Sequence, residues 1–321
     1  MINNIQPLVT IAIPTYNRAD SYLKQSLKSA VSQTYSNIEI IVSDNCSTDN
    51  TETVIRDFAD PRIRYFKQGV NIGANNNFNF LLKHANGDYF LLLQDDDLID
   101  SDFIETCMKS VNYNTNVGII RTGTREIDSQ GNVFYESLNM VGGLSTENFF
   151  KGWFAGMTTL YLCSTLFNTK RLAEVGGFKS KKNLFQDVIA EVQLASKFGR
   201  VDVQDIKASY RKHPFEMTFA VKVSDWCEDS FELLDLMCEL VPEESKKMIR
   251  DEGMRFFSKI NYKRARAVKS PVKRFTTYLI VFKKFNYRHL APISHSPIYK
   301  VLYGTPVHSV MRFIKRKIKQ T

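Results

Sequence analysis

Tyr89-Phe-Leu-Leu-Leu-Gln-Asp-Asp-Asp97 is an apolar run that leads directly into three consecutive carboxylates. Five apolar residues, with Gly87 shortly before them and charge after them, predict a short buried strand from Tyr89 to Leu93. A helix over Asn77 to His84 precedes it, with Gly87 read as the stop that closes that helix. Moving toward the N-terminus, short β-rich runs keep alternating with 3.6-periodic stretches. Ile63 to Phe66 predicts a strand, Thr51 to Phe58 a helix and Ile38 to Ser43 a strand. Ser21 to Gln33 predicts a helix whose Leu23, Leu27, Ala30 and Val31 share one face. Leu8 to Ile13 is the first strand, ended by Pro14. Strands and helices alternating in this way build βαβ units and a mostly parallel sheet.

In such a sheet, ligands sit beyond the carboxyl ends of the strands. Thr15-Tyr16-Asn17, Asp44 and Asp95 to Asp97 all fall there, so three polar segments far apart in sequence converge on one edge. Three adjacent carboxylates repel one another unless a cation neutralises them. Hard divalent ions such as Mg²⁺ or Mn²⁺ take carboxylate oxygens and keep positions open for phosphate. The alternative is a solvated acidic turn capping a helix that starts near Ser101. Asp44 can accept the N3 hydrogen of uracil while Tyr16 stacks on the base, or it can be an Asx-type turn residue.

Four stretches together resemble the ordered motifs of family 2 glycosyltransferases: Val9-Thr-Ile-Ala-Ile-Pro-Thr-Tyr-Asn-Arg18, Ile38-Glu-Ile-Ile-Val-Ser-Asp-Asn-Cys-Ser-Thr-Asp-Asn-Thr51, Asn71-Ile-Gly through Asn77, and Gly87 through Asp97. The resemblance covers residues 8–100 closely, 101–220 more loosely, and none of the tail. It implies a GT-A fold, that is, an α/β architecture with a Rossmann-like, mostly parallel central sheet flanked by helices. A C-terminal helical basic extension follows the sheet. It also implies a nucleotide-diphosphate sugar donor, a UDP-sugar first among them, and inverting transfer to a glycan or lipid-linked acceptor. Pro14, Thr15, Tyr16, Asn17 and Asp44 would line the nucleoside pocket. Asp95 would lie by the ribose and diphosphate, and Asp96 would ligate Mn²⁺ or Mg²⁺. Asn71, Gly73 and Asn77 would shape the loop beside the donor. Gln94 departs from the family, which often carries an aspartate there.

Further along, Gln186-Asp187 resembles the family's acidic motif, with Gln186 departing from the commoner glutamate. Inverting transfer needs a carboxylate that takes the acceptor hydroxyl's proton, and Asp187 is the candidate. Its alternative role is a first-turn carboxylate favoured by the helix dipole. Tyr210-Arg-Lys-His213 resembles the segment that closes over the diphosphate. Arg211 would hold phosphate and His213 would contact phosphate or the metal; surface charge is the other reading of both. Gly176-Gly177-Phe178 reads as a helix-ending turn. Trp153 is either a platform for a sugar ring or core.

The middle third predicts strands at Gly118 to Arg121 and Cys163 to Asn168, and helices at Phe103 to Val111, Lys170 to Val175 and Asp187 to Phe198. After about residue 225 the pattern turns helical, with stretches at Asp229 to Leu240, Glu244 to Ile260 and Lys273 to Phe285. The expected organisation is a catalytic domain over 1–224, with 1–100 binding the nucleotide-sugar and 101–224 the acceptor, followed by a helical, basic, membrane-associating region over 225–321.

Charge divides the chain in the same way. Residues 245–321 carry 20 Lys and Arg against 2 Asp and Glu, while the preceding body is acidic within a total of +9. A basic segment on an acidic body points to an anionic partner. In the tail, Phe275, Tyr278, Leu279 and Phe282 make one apolar stripe, and Val310, Phe313, Ile314 and Ile318 make another, each flanked by Lys and Arg. Such helices lie on anionic lipid or cap the catalytic domain.

The longest apolar runs are far shorter than the roughly 20 residues that cross a bilayer, and no leader pattern opens the chain. The expectation is a cytoplasmic protein, peripheral at the inner face of the cell membrane. Five widely spaced cysteines without a CxxC predict free thiols. Dinucleotide, P-loop and common hydrolase motifs are absent. The interleaved basic and aromatic pattern of nucleic-acid binding is also missing. A non-catalytic sugar-nucleotide or glycan-binding module with the same fold is the alternative.

Overall fold

The structure is a computed structural model that describes residues 6–213 and 221–285. Strands β1 (Val9–Thr15), β2 (Ile38–Asp44), β3 (Ile63–Lys67) and β4 (Tyr89–Leu92) alternate with helices α1 (Leu23–Val31), α2 (Thr51–Arg56) and α3 (Ala74–His84). Every residue of β1 and of β4 is buried, as expected of strands covered on both faces. β1 pairs in parallel with β2 and β4, and β2 with β3. In this register Thr15 lies opposite Asp44, so the ends of β1 and β2 emerge together.

Gly87 does not act as the stop of α3, which ends at His84. A Cβ there would lie 2.6 Å from the backbone nitrogen of Thr10. Glycine at this position is therefore required by the close passage of the chain past β1. Gly176 and Gly177, with φ of 91° and 71°, form the turn after α6 (Thr169–Glu174).

The second half extends the same sheet. β5 (Leu98–Ile99), α4 (Phe103–Ser110), β6 (Ile119–Ile127), β7 (Val133–Ser137), α5 (Thr146–Phe154), β8 (Thr165–Asn168), α6, α7 (Gln186–Phe198) and β9 (Arg200–Arg211) follow in chain order. Among the described residues nine strands form one sheet in the order β3-β2-β1-β4-β8-β6-β9-β5, with β7 on β6. β8 runs antiparallel to β4 and β6, whereas β9 is parallel to β6. The sequence reading contained neither β7 nor α5, nor the body of β9. β7 has four exposed residues of five, and most of β9 is only half-buried, so neither shows the alternation that marks a strand.

Helices α8 (Val223–Glu239), α9 (Glu243–Arg266) and α10 (Pro271–Lys284) close the described chain. Trp226, Leu233, Phe257 and Tyr278 from these helices join one apolar cluster with Phe78 and Phe167 of the sheet domain. Among the described residues the helical region therefore shares a core with the sheet. Trp153 packs on Phe256 and Phe257, with ring centroids 4.8 and 5.9 Å away, which places it in this core. On α10, Tyr278 and Val281 are buried, as is Phe285 just after it, while Val272, Phe275, Leu279 and Ile280 are exposed. The stripe read from the sequence is thus divided between the protein and its surface. The second stripe, Val310 to Ile318, lies outside the described residues. All five cysteines are free thiols. No described helix is long and apolar enough to cross a membrane.

Candidate active site

The sheet brings its three polar ends together. The backbone nitrogen of Asn17 donates to Ser47 Oγ at 2.8 Å, and Thr48 donates back to Asn17 Oδ1 at 2.9 Å. These bonds tie the loop after β1 to the loop after β2. Pro14 and Thr15 are buried beneath that junction, whereas Tyr16 is 45% exposed and its ring is available for stacking. Asp44 is fully buried. Its Oδ1 accepts from the Ser47 nitrogen at 2.7 Å and its Oδ2 from the Tyr65 hydroxyl at 2.8 Å. This is the turn-forming role weighed in the sequence, and it puts Asp44 beneath the surface where a base would stack.

Asn71 and Gly73 lie in an exposed loop, with Asn71 Oδ1 accepting from Asn45 and from the Gly73 nitrogen. Asn77 differs from its expected place beside a donor. It is buried, accepts from Ser43 Oγ at 2.6 Å and donates to the Ser43 carbonyl at 3.0 Å, so it fastens α3 to β2.

The three aspartates after β4 have three different environments. Asp95 is buried, with the Arg18 Nε 3.5 Å from its Oδ1. Burial and the neighbouring Asp96 charge push its carboxyl up to about 7, against the opposing pull of Arg18. Asp97 is buried, accepts from the Arg211 backbone nitrogen at 2.9 Å, and is pushed well above the usual carboxylate range by burial and by Asp96. Asp96 alone keeps an open side chain, 19% exposed, and its Oδ2 lies 2.9 Å from His213 Nε2.

Arg18 is a functional candidate the sequence reading did not single out. Its signal was its place at the end of the first motif.

Arg211 is not placed as a phosphate ligand in this structure. Its side chain is buried, stacked over Tyr22 at 4.3 Å. Nε donates to the Asp96 carbonyl, Nη1 to the Asp128 carbonyl and Nη2 to Gln25 Oε1. These bonds hold the aspartate turn in shape, because a buried guanidinium needs acceptors on its N–H groups. The side chains that meet at this end of the sheet are Asp96 and His213. One carboxylate oxygen and one imidazole nitrogen, with the remaining positions left to phosphate oxygens, suit Mg²⁺ or Mn²⁺. A cage of three or more His, Cys, Asp or Glu side chains is absent among the described residues.

Asp187 opens α7, half-buried, with its Oδ1 accepting from the Val188 nitrogen at 2.9 Å. Burial pushes its carboxyl up to about 6, so it is ionised at neutral pH yet basic enough to accept a proton. The loop leading to it is held from a distance. Asp229 of α8 is fully buried and accepts from Ser180 Oγ at 2.7 Å, the Lys182 nitrogen at 2.7 Å and the Leu184 nitrogen at 2.9 Å. Lys181 donates its backbone nitrogen to Glu232 at 2.6 Å. Nothing in the sequence linked Asp229 to Asp187, because the link exists only through folding.

One turn beyond Asp187, Glu191 is fully buried 3.3 Å from Arg121 Nε. Arg121 also meets Asp202, which pairs in turn with Arg200. This buried charge network joins α7 to β6 and β9.

Residues 10–168 match the family model described as glycosyl transferase family 2. A GalNAc(5)-diNAcBac-PP-undecaprenol beta-1,3-glucosyltransferase of Campylobacter jejuni is 31% identical over 176 residues, covering 52% of this chain and 55% of that protein. The chain spans less than two thirds of the curated relatives it matches, 41% of one and 22% of another. Staphylococcus aureus TarS 1-349 in complex with UDP-GlcNAc superposes with a TM-score of 0.68 at 16% identity, covering 89% of this chain and 82% of that one. The mannosyltransferase PcManGT of Pyrobaculum calidifontis, in complex with GDP-Man and Mn²⁺, superposes at 0.55 and 17% identity, covering 88% and 83%. The shared architecture is the GT-A fold.

Proposed function

Since the chain belongs, through residues 10–168, to glycosyl transferase family 2, we propose that it transfers a sugar from a nucleotide-diphosphate sugar, a UDP-sugar in the first instance, to a glycan or lipid-linked acceptor in surface polysaccharide synthesis. The observation that carries this reading is the pairing of Asp96 with His213 at the open end of the sheet, with Asp187 at the head of α7.

In the proposed site the base stacks on Tyr16, above the turn closed by Asp44. Asn17, Asn71 and Gly73 border the nucleotide, and Arg18 and Asp95 lie toward the ribose and diphosphate. Asp96 and His213 would hold Mn²⁺ or Mg²⁺, which when bound neutralises charge on the leaving diphosphate. Asp187 takes the proton of the acceptor hydroxyl. The acceptor oxygen forms a bond to the anomeric carbon from the face opposite the breaking bond, whose electron pair leaves with the diphosphate, and the configuration inverts.

The Campylobacter relative, whose name specifies an undecaprenol-linked acceptor, supports a lipid-linked substrate. The exposed Val272, Phe275, Leu279 and Ile280 of α10, with Lys273, Arg274, Lys283 and Lys284 nearby, support peripheral contact with an anionic membrane at its cytoplasmic face. In this organisation residues 1–224 carry the catalysis and the region from 225 brings the enzyme to its acceptor.

Calorimetric titration of UDP, GDP, dTDP and CDP, each with Mn²⁺ and with EDTA, tests the proposal. Metal-dependent binding of one nucleotide is expected. Binding of none would favour the non-catalytic module.

A further inference from the structure

Arg264 on α9 is half-buried, and its guanidinium lies 3.7 Å from the ring centroid of Trp226 and 5.7 Å from that of Phe185. Other buried guanidinium groups among the described residues face acceptors. Arg121 and Arg200 face Asp202, and Arg211 donates to three oxygens. Among the described residues Arg264 has no such acceptor, and its Nη1 is buried with no hydrogen-bond partner. Among the described residues the titratable groups that act on it are Cys227 and Tyr210, neither a carboxylate, and burial pushes its pKa down to about 10.

A cation withdrawn from water without an anion is costly. Stacking on indole and phenyl rings offsets part of that cost. The same stacking holds the planar fork in one orientation, which is what bidentate capture of a carboxylate or phosphate requires.

The position of this group matters as much as its lack of an acceptor among the described residues. Phe185 immediately precedes Gln186 and Asp187. Tyr210, whose ring stacks on Tyr161 at 4.3 Å, stands at the end of β9, three residues before His213. Arg264 thus lies between the segment that carries the candidate base and the segment that carries the candidate metal ligand.

We propose that Arg264 is an acceptor subsite for an anionic group, a phosphate or a carboxylate, carried by the acceptor near its reactive hydroxyl. The proposal rests on the transfer reading and narrows its acceptor class to glycans that are acidic or phosphate-linked. The helices after the sheet then contribute directly to acceptor recognition.

The test is binding of methyl glucoside, glucuronic acid and glucose 1-phosphate to the full chain by saturation-transfer NMR, with UDP and Mn²⁺ binding measured on the same samples. The parent protein is expected to bind one or both anionic sugars at least about tenfold more tightly than methyl glucoside, and the stronger of the two identifies the anion. Arg264→Gln should abolish that preference while leaving methyl glucoside and UDP binding unchanged. Arg264→Lys, which keeps the charge but not the fork, should retain only part of it. Equal binding of neutral and anionic sugars by the parent, or an undiminished preference in Arg264→Gln, would overturn the assignment. Loss of UDP binding by the parent would instead count against the transfer reading, so the two failures are distinguishable.

Discussion

His213 Nε2 lies 2.9 Å from Asp96 Oδ2, although 117 residues separate the two in sequence. The contact exists because β9 returns through the sheet beside β6 and delivers its C-terminal end to the turn after β4. Arg211 completes the arrangement, donating its backbone nitrogen to Asp97 and its Nε to the Asp96 carbonyl.

If this pair holds the divalent ion, Asp96→Ala should lower kcat/KM by roughly 100-fold or more, the scale seen when charge stabilisation at a reacting centre is removed. His213→Ala should weaken Mn²⁺-dependent nucleotide binding in calorimetry and leave metal-free binding as it was. Metal-dependent binding that survives both changes would remove the assignment.

Asp187 sets the expected pH dependence. A base works only when ionised, and burial places this carboxyl at about 6. The rate should therefore rise with pH through about 6 and level off above it. Asp187→Asn should lower kcat by about 10²–10⁴-fold with nucleotide affinity retained. A profile already flat from pH 5 would point to a different base.

Asp229 should behave as a positioning residue. Hydrogen bonds to a charged group contribute about 1.5–3 kcal/mol each, and three converge here from one loop. Asp229→Ala should cost about 3 kcal/mol or more in denaturant unfolding. Asp229→Asn, which keeps one acceptor oxygen, should fold better yet lose kcat with little change in donor KM. A rise in donor KM alongside the fall in kcat would mean that the loop does not act through Asp187.

Glu191 predicts a stability effect with a definite sign. Burial lifts its carboxyl from the ordinary 4.5 to about 8, against the pull of Arg121. Between those values the folded state holds a proton that the unfolded chain has lost, so this residue's contribution to stability falls as pH rises from 4.5 to 8. Glu191→Gln does not titrate, so its stability relative to the parent should increase over the same interval. Urea unfolding at pH 5 and pH 8 measures it, and an unchanged difference between the two pH values would contradict the assigned environment.

The exposed face of α10 offers a separate test. Replacing Phe275 and Leu279 together with serine should reduce flotation of the protein with anionic vesicles several-fold, with thermal stability nearly unchanged because both side chains are exposed. Equal flotation of the double variant would assign the basic face to another partner.

The sequence was enough to locate the first half of the sheet. Val9–Thr15, Ile38–Asp44 and Tyr89–Leu92 are apolar nearly throughout, and such runs, punctuated by turn residues, leave few alternatives to buried parallel strands. Asp95 to Asp97 could be singled out for the same local reason, as carboxylates leaving a buried strand, whereas Asp187 stood out only through its resemblance to the family's acidic motif. The different environments of the three aspartates were not legible. They depend on Arg18, Arg211 and His213, which folding brings from other parts of the chain. Asn77, Asp44 and Arg211 carry the chemistry expected of ligand contacts, and the hydrogen bonds that each makes inside the fold could not be read from the sequence. Arg264 could be read only as one more charge in a basic tail until packing set it beside Trp226, with no carboxylate partner among the described residues. Periodicity reports how much of an element is buried, whereas the partner of each buried polar group depends on long-range topology, which is why tertiary structure decided the rest.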